Sequence, residues 1–186
     1  MLRRNHVVIE TARLRLVPLV PGHAGALHAL AADWEIVRML ARMPWPLALS
    51  DVEAYAAGHE RPERESDEFV LLAGGEAVGV AGVKRPGSGA PPRIMPRLGY
   101  WIGRAHQGRG YATEAVAAIT LWAFGRFRAE RVGAGVFHDN AASLRVLEKL
   151  GFREVRRYET ASLARGGPVS TIDMNFTRAA FEEARR

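Results

Sequence analysis

The run Gln107-Gly108-Arg109-Gly110-Tyr111-Ala112-Thr113 holds the residue types and spacing best suited to chemistry. Two glycines one residue apart let a backbone curl and let an oxygen atom approach its amides. Periodic apolar residues follow and predict a helix over 113–127. The first N–H groups of a helix have no partner inside it, and the helix dipole adds partial positive charge there. Strand, glycine loop and helix start in that order grip a phosphate. Arg109 adds a cation between the glycines, and the Thr113 hydroxyl stands where it can donate to the same group. A dinucleotide fingerprint would need Gly at 113 and a turn directly after the strand, where Arg104 to Gln107 intervene. A Walker loop would need a following Lys-Ser or Lys-Thr. An isolated Gly-x-Gly is most often only a turn, so the surrounding residues decide.

Other chemistry-bearing residues are sparse. The chain has no cysteine, which removes disulfides, thiolate metal sites and a cysteine nucleophile. Its six histidines are scattered and form no ligand spacing. His106 and His138 fall near the glycine loop and the strand after it, and His138 could bond a substrate, although a lone loop histidine is more often simply exposed. Asn140 and Ser143 open a second helix, where Asn140 suits an N-cap. Glu114 sits in the first turn of the 113–127 helix, where an acid is expected for dipole reasons alone.

The chain of 186 residues fits one domain spanning 1–186, with 1–8 as a disordered lead-in. It can bury a core without covalent staples. Net charge is +6, but the basic residues are spread along the chain and almost all are arginine, Lys84 and Lys149 being the only lysines. A nucleic-acid role would rest on that charge alone. Charged residues break every apolar run well short of a membrane span, so no membrane partner is expected. The cysteine-free composition suits a reducing, cytoplasmic setting.

The elements that position the loop follow from the pattern. A strand is predicted over 11–18, helices over 22–32 and 34–40, and a helix from Ser50, capped by it with Glu53 three residues on. Strands over 68–72 and 77–83 flank the Gly74-Gly75 turn. Lys84–Pro96, with four prolines and two glycines, reads as a loop. Then come a strand over 98–103, the glycine loop and its helix, a strand over 132–137, and a helix over 140–150 ended by Gly151. Strands over 152–158 and 169–176 close the sheet, and Thr177 caps a final helix. The order β-α-α-β-β-β-α-β-α-β-β is an α+β pattern.

The stretches Leu98–Gly103, Gln107–Ala115, Asn140–Ser143 and Leu147–Phe152 resemble the GNAT superfamily of N-acetyltransferases. The opening Glu10–Leu16 resembles its RimJ/RimL branch, which includes ribosomal-protein N-terminal acetyltransferases. The resemblance implies a V-shaped mixed sheet of six to seven strands flanked by helices. It implies acetyl-CoA as acetyl donor, with its pyrophosphate on Gln107, Gly108, Arg109, Gly110, Tyr111, Ala112 and Thr113. It further implies direct transfer to an amine, a protein or peptide N-terminal α-amine being favoured over a small-molecule amine, and a homodimer through the last strands.

The same resemblance places an oxyanion donor at the backbone of Trp101 or Ile102, both beside the coenzyme. Many relatives use a tyrosine at the position of Leu147 to meet the departing thiolate; here Ser143 is the expected substitute, with Asn140 either capping its helix or touching the coenzyme's arm. Arg97 stands where many relatives carry a glutamate, so the base is unassigned. Those two departures keep a non-catalytic acyl-CoA sensor as the alternative. Trp34, Trp45, the loop 84–96 and the connection 158–168 are the expected acceptor-facing parts.

Overall fold

The computed structural model describes residues 7–88 and 94–183. Its elements are β1 (Ile9–Glu10), β2 (Arg15–Pro18), α1 (Ala24–Ala31), α2 (Trp34–Val37), α3 (Leu49–Gly58), β3 (Ser66–Ala73), β4 (Glu76–Lys84), β5 (Arg97–Ile102), α4 (Tyr111–Phe127), β6 (Arg131–Phe137), α5 (Ala141–Lys149), β7 (Arg153–Ser162), β8 (Gly167–Thr177) and α6 (Arg178–Glu183). The strands form one sheet in the order β1-β2-β3-β4-β5-β6-β8-β7. Every pairing is antiparallel except β5 with β6.

Three local expectations change. The sheet has eight strands because the lead strand is broken by a turn at Thr11, whose N–H donates to Leu14 O at 2.9 Å and whose hydroxyl accepts from Leu14 N at 3.0 Å. The helix expected at Ser50 begins at Leu49, since the Asp51 carboxylate accepts from Ala48 N at 2.9 Å and does the capping. The connection expected over 158–168 is mostly strand: β7 runs to Ser162 and β8 resumes at Gly167. Of the lead-in, Met1–His6 lie outside the described residues, as do 89–93 of the 84–96 loop.

Both sheet faces are covered, which is why β3 reads as a nearly continuous apolar run. Alternation sends Phe69 and Leu71 to one face, against Ala115, Ile119 and Phe124 of α4 and Leu147 of α5. Val70 goes to the other, with Val80, against Leu27 of α1 and Val52 and Ala56 of α3. Each is at most 2% exposed, so each of the larger side chains contributes on the order of 2 kcal/mol by burial and each alanine methyl about 0.8 kcal/mol.

The sheet splits in the middle. β5 and β6 pair only at Arg97↔Gly133 and Leu98↔Ala134. Beyond that, β5 stays with β4 as far as Gly79↔Ile102, and β6 stays with β8 as far as Phe137↔Thr171. Each strand follows its outer neighbour, and a gap opens through the sheet.

Candidate active site

The glycine loop lies at the mouth of that gap. Gly108 and Gly110 have φ of 74° and 80°, a left-handed conformation that favours glycine, and α4 starts at the next residue. The Gln107 amide donates to Ile102 O at 2.9 Å, capping the end of the splayed strand. Gly108, Gly110, Tyr111, Ala112 and Thr113 line a cleft of about 650 Å³ together with Gln107, Trp101, Ile102, Asn140 and Ser143. The Arg109 guanidinium turns back to donate to Ala105 O at 3.2 Å. Arg104, Arg145 and Lys149 line the cleft instead and supply its positive charge. Sequence reading missed these three because arginines are spread over the whole chain and only folding gathers them.

A second device holds the loop. Arg13 donates from Nη1 to Arg109 O at 2.8 Å and pairs with Glu114 at 2.7 Å. Its guanidinium carbon lies 5.1 Å from the Tyr111 ring centroid. Glu114 also accepts from the Thr11 hydroxyl at 2.6 Å and from Arg13 N at 2.8 Å. Burial alone would raise the Glu114 carboxyl; the bonds from Thr11 and Arg13, with the Arg13 charge, hold it below the usual carboxylate range. Glu114 therefore ties the strand turn to the phosphate loop.

Across the gap stands a hydroxyl pair. The Tyr100 and Ser143 hydroxyls are 2.8 Å apart, and Tyr100 also donates to Ser143 O at 3.2 Å. Asn140 caps α5 by accepting from Ser143 N at 3.1 Å. Burial pushes the Tyr100 phenol up to about 12, against the bond to Ser143, so it stays protonated. Leu147, at the position where a tyrosine was looked for, is fully buried. A tyrosine hydroxyl reaches Ser143 from β5 instead, which the helix spacing alone could not reveal.

The direction of the β5 amides follows from alternation. Gly103 N donates to Val78 O, toward β4, whereas Pro96 O accepts from Gly133 N, toward β6. Residues two apart point the same way. The Trp101 N–H thus faces β4, and those of Tyr100 and Ile102 face the gap.

On the α1/α3 face the gap opens into a second cavity of about 380 Å³. Its wall includes Tyr55, Glu68, Lys84, Arg97 and Tyr158, and it shares Met39, Leu40, Tyr100, Trp101, Asn140 and Ser143 with the first cleft. Arg97 donates to Asp173 at 2.7 Å and to the Tyr158 hydroxyl at 3.3 Å. The segment 38–43 roofs the cavity. Arg165 of the β7–β8 turn fastens it, donating to Arg38 O at 2.7 Å and to both Asp139 oxygens at 3.0 and 3.1 Å.

Several residues singled out earlier stand elsewhere. Trp34 and Trp45 pack edge to face, 5.5 Å between centroids, at the surface, and neither is among the lining residues of the two cavities. His138 bonds Ser170 O through its backbone N–H at 2.9 Å and lies outside both cavities; His106 lines the first. Glu35 also lines the first cleft and pairs with Arg38 at 3.2 Å, next to Asp33, which caps α2. No helix among the described residues is long and apolar enough to cross a membrane.

Comparison with known proteins agrees with this architecture. The sequence profile of the acetyltransferase (GNAT) domain matches residues 13–153. The uncharacterized N-acetyltransferase YoaA of Bacillus subtilis is 27% identical over 158 residues, 79% of this chain and 83% of that protein. The probable N-acetyltransferase YjcK of Bacillus subtilis is 44% identical over 57 residues, 31% of this chain; the match spans about a third (32%) of that protein's length. The solved structure of Mycobacterium smegmatis RimJ in complex with CoA-disulfide superposes with a TM-score of 0.81 at 23% identity, covering 100% of this chain and 93% of that one. A RimL alpha-N-protein acetyltransferase in complex with coenzyme A gives 0.76 at 19% identity, covering 94% and 99%. A glycine loop on a helix start, a cationic cleft and a split sheet together fit a long pyrophosphate ester lying between β5 and β6. With the profile match over most of its length, the chain belongs to the GNAT family of acetyltransferases.

Proposed function

We propose that this acetyltransferase moves the acetyl group directly to an α-amine, that of a peptide or protein N-terminus, with a small-molecule amine as the lesser reading. The observation that carries direct transfer is the meeting of the two cavities at Tyr100, Trp101, Asn140 and Ser143. Donor and acceptor enter from opposite sheet faces and meet in the gap, with no cysteine to carry an acyl group.

Acetyl-CoA supplies an activated thioester; the chain supplies alignment and charge. The amides of Gly108 through Thr113 and the cations Arg104, Arg145 and Lys149 receive the pyrophosphate. Asn140 steadies α5 as its cap and faces the same cleft. The Ile102 N–H, directed into the gap, serves as donor to the oxyanion that develops on the carbonyl oxygen. Ser143 donates a hydrogen bond to the departing sulfur. Tyr100, protonated and bonded to Ser143, replenishes that donor, which makes the serine competent despite its weak acidity.

The α-amine reading rests on proton energetics. An α-amine with a pKa near 7.7–8.0 is about a tenth neutral at pH 7, whereas a lysine near 10.4 is neutral about once in a few thousand. The difference is on the order of 3 kcal/mol. Calorimetric titration with acetyl-CoA, then thiol release with a panel of amines, tests it. Ser- and Ala-initiated peptides should outperform lysine side chains. The reverse ranking refutes the acceptor class, and binding without turnover of any amine would turn the reading to a sensor.

A further inference from the structure

We infer that Glu68 is the residue that receives the acceptor amine, its carboxylate holding the ammonium form and taking the proton that must leave before the nitrogen attacks. This rests on the amine-acetylation reading above and assigns a base to it.

The placement follows from sheet register. Glu68 pairs with Gly82, and Gly82 with Gly99. Directly opposed residues point to the same face, so all three face the acceptor cavity. Gly135, one residue beyond the last β5–β6 pair as Gly99 is on β5, continues the row across the gap and is opposed by Asp173. The row holds three glycines with a carboxylate at each end, and the space over Gly135 is taken by the Tyr158 hydroxyl and the Arg97 guanidinium. A Cβ on Gly82 would fall 1.8 Å from Glu68 Oε2, so the carboxylate lies directly over Gly82. A Cβ on Gly99 would meet nothing within 4 Å, so the next place in the row is open. Strands lie about 4.8 Å apart. The carboxylate is therefore about one strand spacing from Gly99, within reach of an amine at the gap directly or through one water.

The two carboxylates differ in what holds them. Asp173 is taken by two guanidiniums, Arg97 at 2.7 Å and Arg156 at 3.0 Å. Glu68 is only 10% exposed and meets the His59 Nε2 at 4.0 Å. Burial pushes its carboxyl up, with bonds from Ser66 and Tyr55 and the charges of Arg42 and Lys84 pulling back. The charged and titratable groups around it are Tyr55 on α3, His59 at the end of that helix, Arg42 in the roof, Lys84 on β4 and, across the cavity, Arg97 and Tyr100 on β5 and Tyr158 on β7. Burial also lowers His59, which keeps that ring neutral, and burial chiefly raises Tyr55, which keeps its phenol protonated. Glu68 is then a carboxylate made more basic than usual, facing open space.

The step balances. The ammonium gives one proton to Glu68 and becomes a neutral amine. Its lone pair forms the N–C bond to the thioester carbonyl as the C–S bond breaks. The second nitrogen proton reaches the sulfur through Ser143, and Glu68 returns its proton to water.

The test compares wild type with Glu68→Gln and Tyr55→Phe across pH. In E68Q, kcat with the best peptide amine should fall about 100- to 1000-fold and lose its acid limb. Affinity for acetyl-CoA should stay within twofold, which also reports that the variant folds. Calorimetric binding of the amine peptide to the coenzyme A complex should weaken in parallel. In Y55F the loss of a bond that lowers Glu68 should move the acid limb to higher pH. An E68Q enzyme within threefold of wild type with its acid limb intact overturns the assignment. So does a Y55F limb that stays or moves down. If wild type acetylates only lysine side chains, the α-amine reading fails alone, and the same comparisons on those amines still decide Glu68.

Discussion

The coenzyme cleft and the acceptor cavity share one gap but are built from different materials. The phosphate-gripping part of the cleft is local backbone: a strand end, two glycines with left-handed φ and a helix start, within residues 101–113, with α5 supplying the facing wall. The acceptor cavity is mostly side chain, contributed by α3, the 38–43 roof, β3, β4, β5 and β7. Phosphate recognition needs peptide N–H groups, which one short motif offers, and positive charge, which Arg104, Arg145 and Lys149 add at the cleft. Recognising an amine and moving its protons needs particular side chains, which the fold collects from afar. Disturbances of the two regions should therefore separate into coenzyme affinity on one side and acceptor turnover on the other.

The largest expected effect tests the backbone half. In Gly108→Val/Gly110→Val each residue loses access to the left-handed conformation at about 1–2 kcal/mol. The unloaded loop relaxes out of shape, so the strain falls on binding. Affinity for acetyl-CoA should drop on the order of 100-fold by calorimetry, with little change in melting temperature. A loss of stability with affinity retained would mean that the loop's shape serves the fold and not the ligand.

Next in size is the hydroxyl pair. Ser143→Ala removes one bond to a developing thiolate, about 1.5–2 kcal/mol, so kcat should fall roughly 10- to 30-fold with acetyl-CoA affinity unchanged. Tyr100→Phe should cost about fivefold. If Tyr100 acts through Ser143, the double variant loses no more than S143A alone. Additive losses would break the relay into two independent contacts.

Residues show what was legible and why. The turn at Gln107–Gly110, the start of α4 and the Asn140 cap of α5 were readable because each lies at an element's start, where unpaired amides and caps restrict residue type. Tyr100, Glu68, Arg13 and Arg165 were not. Tyr100 meets Ser143 across 43 positions of sequence, and Arg13 meets Glu114 across 101. Such pairs exist only once strand order and register are fixed. Glu68 in particular reads as the polar edge of an apolar strand until its row with Gly82 and Gly99 is known. Trp34 and Trp45 misled for the opposite reason: aromatic size suggests a pocket wall, yet the two satisfy each other at the surface.

A smaller effect should sharpen the acceptor half. Arg165→Ala removes its bonds to Asp139 and to Arg38 O, leaving the Arg38–Asp139 pair at 3.2 Å as the roof's remaining tie to Asp139. Burial would raise Asp139, but the bonds and charge of Arg165, with Arg38, hold it below its usual range. KM for the peptide amine should rise about fivefold, the equivalent of roughly 1 kcal/mol, because the roof loses one charged hydrogen-bond cluster. Acetyl-CoA affinity should not follow, although Met39 and Leu40 border both cavities. If both constants change together, the roof belongs to neither half alone.

The smallest effect concerns the strap on the phosphate loop, and its sign follows from linkage. The folded protein holds Glu114 below the usual carboxylate range. Its contribution is therefore fully present above the unfolded value of about 4.3 and is lost as pH falls through the folded value. Arg13 is 51% exposed, so solvent screens much of that contribution. In Arg13→Ala the Glu114 value returns toward normal, and melting temperature should fall less steeply between pH 5 and pH 3 than in wild type. The same variant frees Arg109 O and should weaken acetyl-CoA only two- to threefold, since the glycine conformations and the helix start remain. A larger loss of coenzyme affinity would move Arg13 from the scaffold of the loop into the phosphate site itself, and the loop's grip would then depend on a side chain about a hundred residues distant as well as on its own backbone.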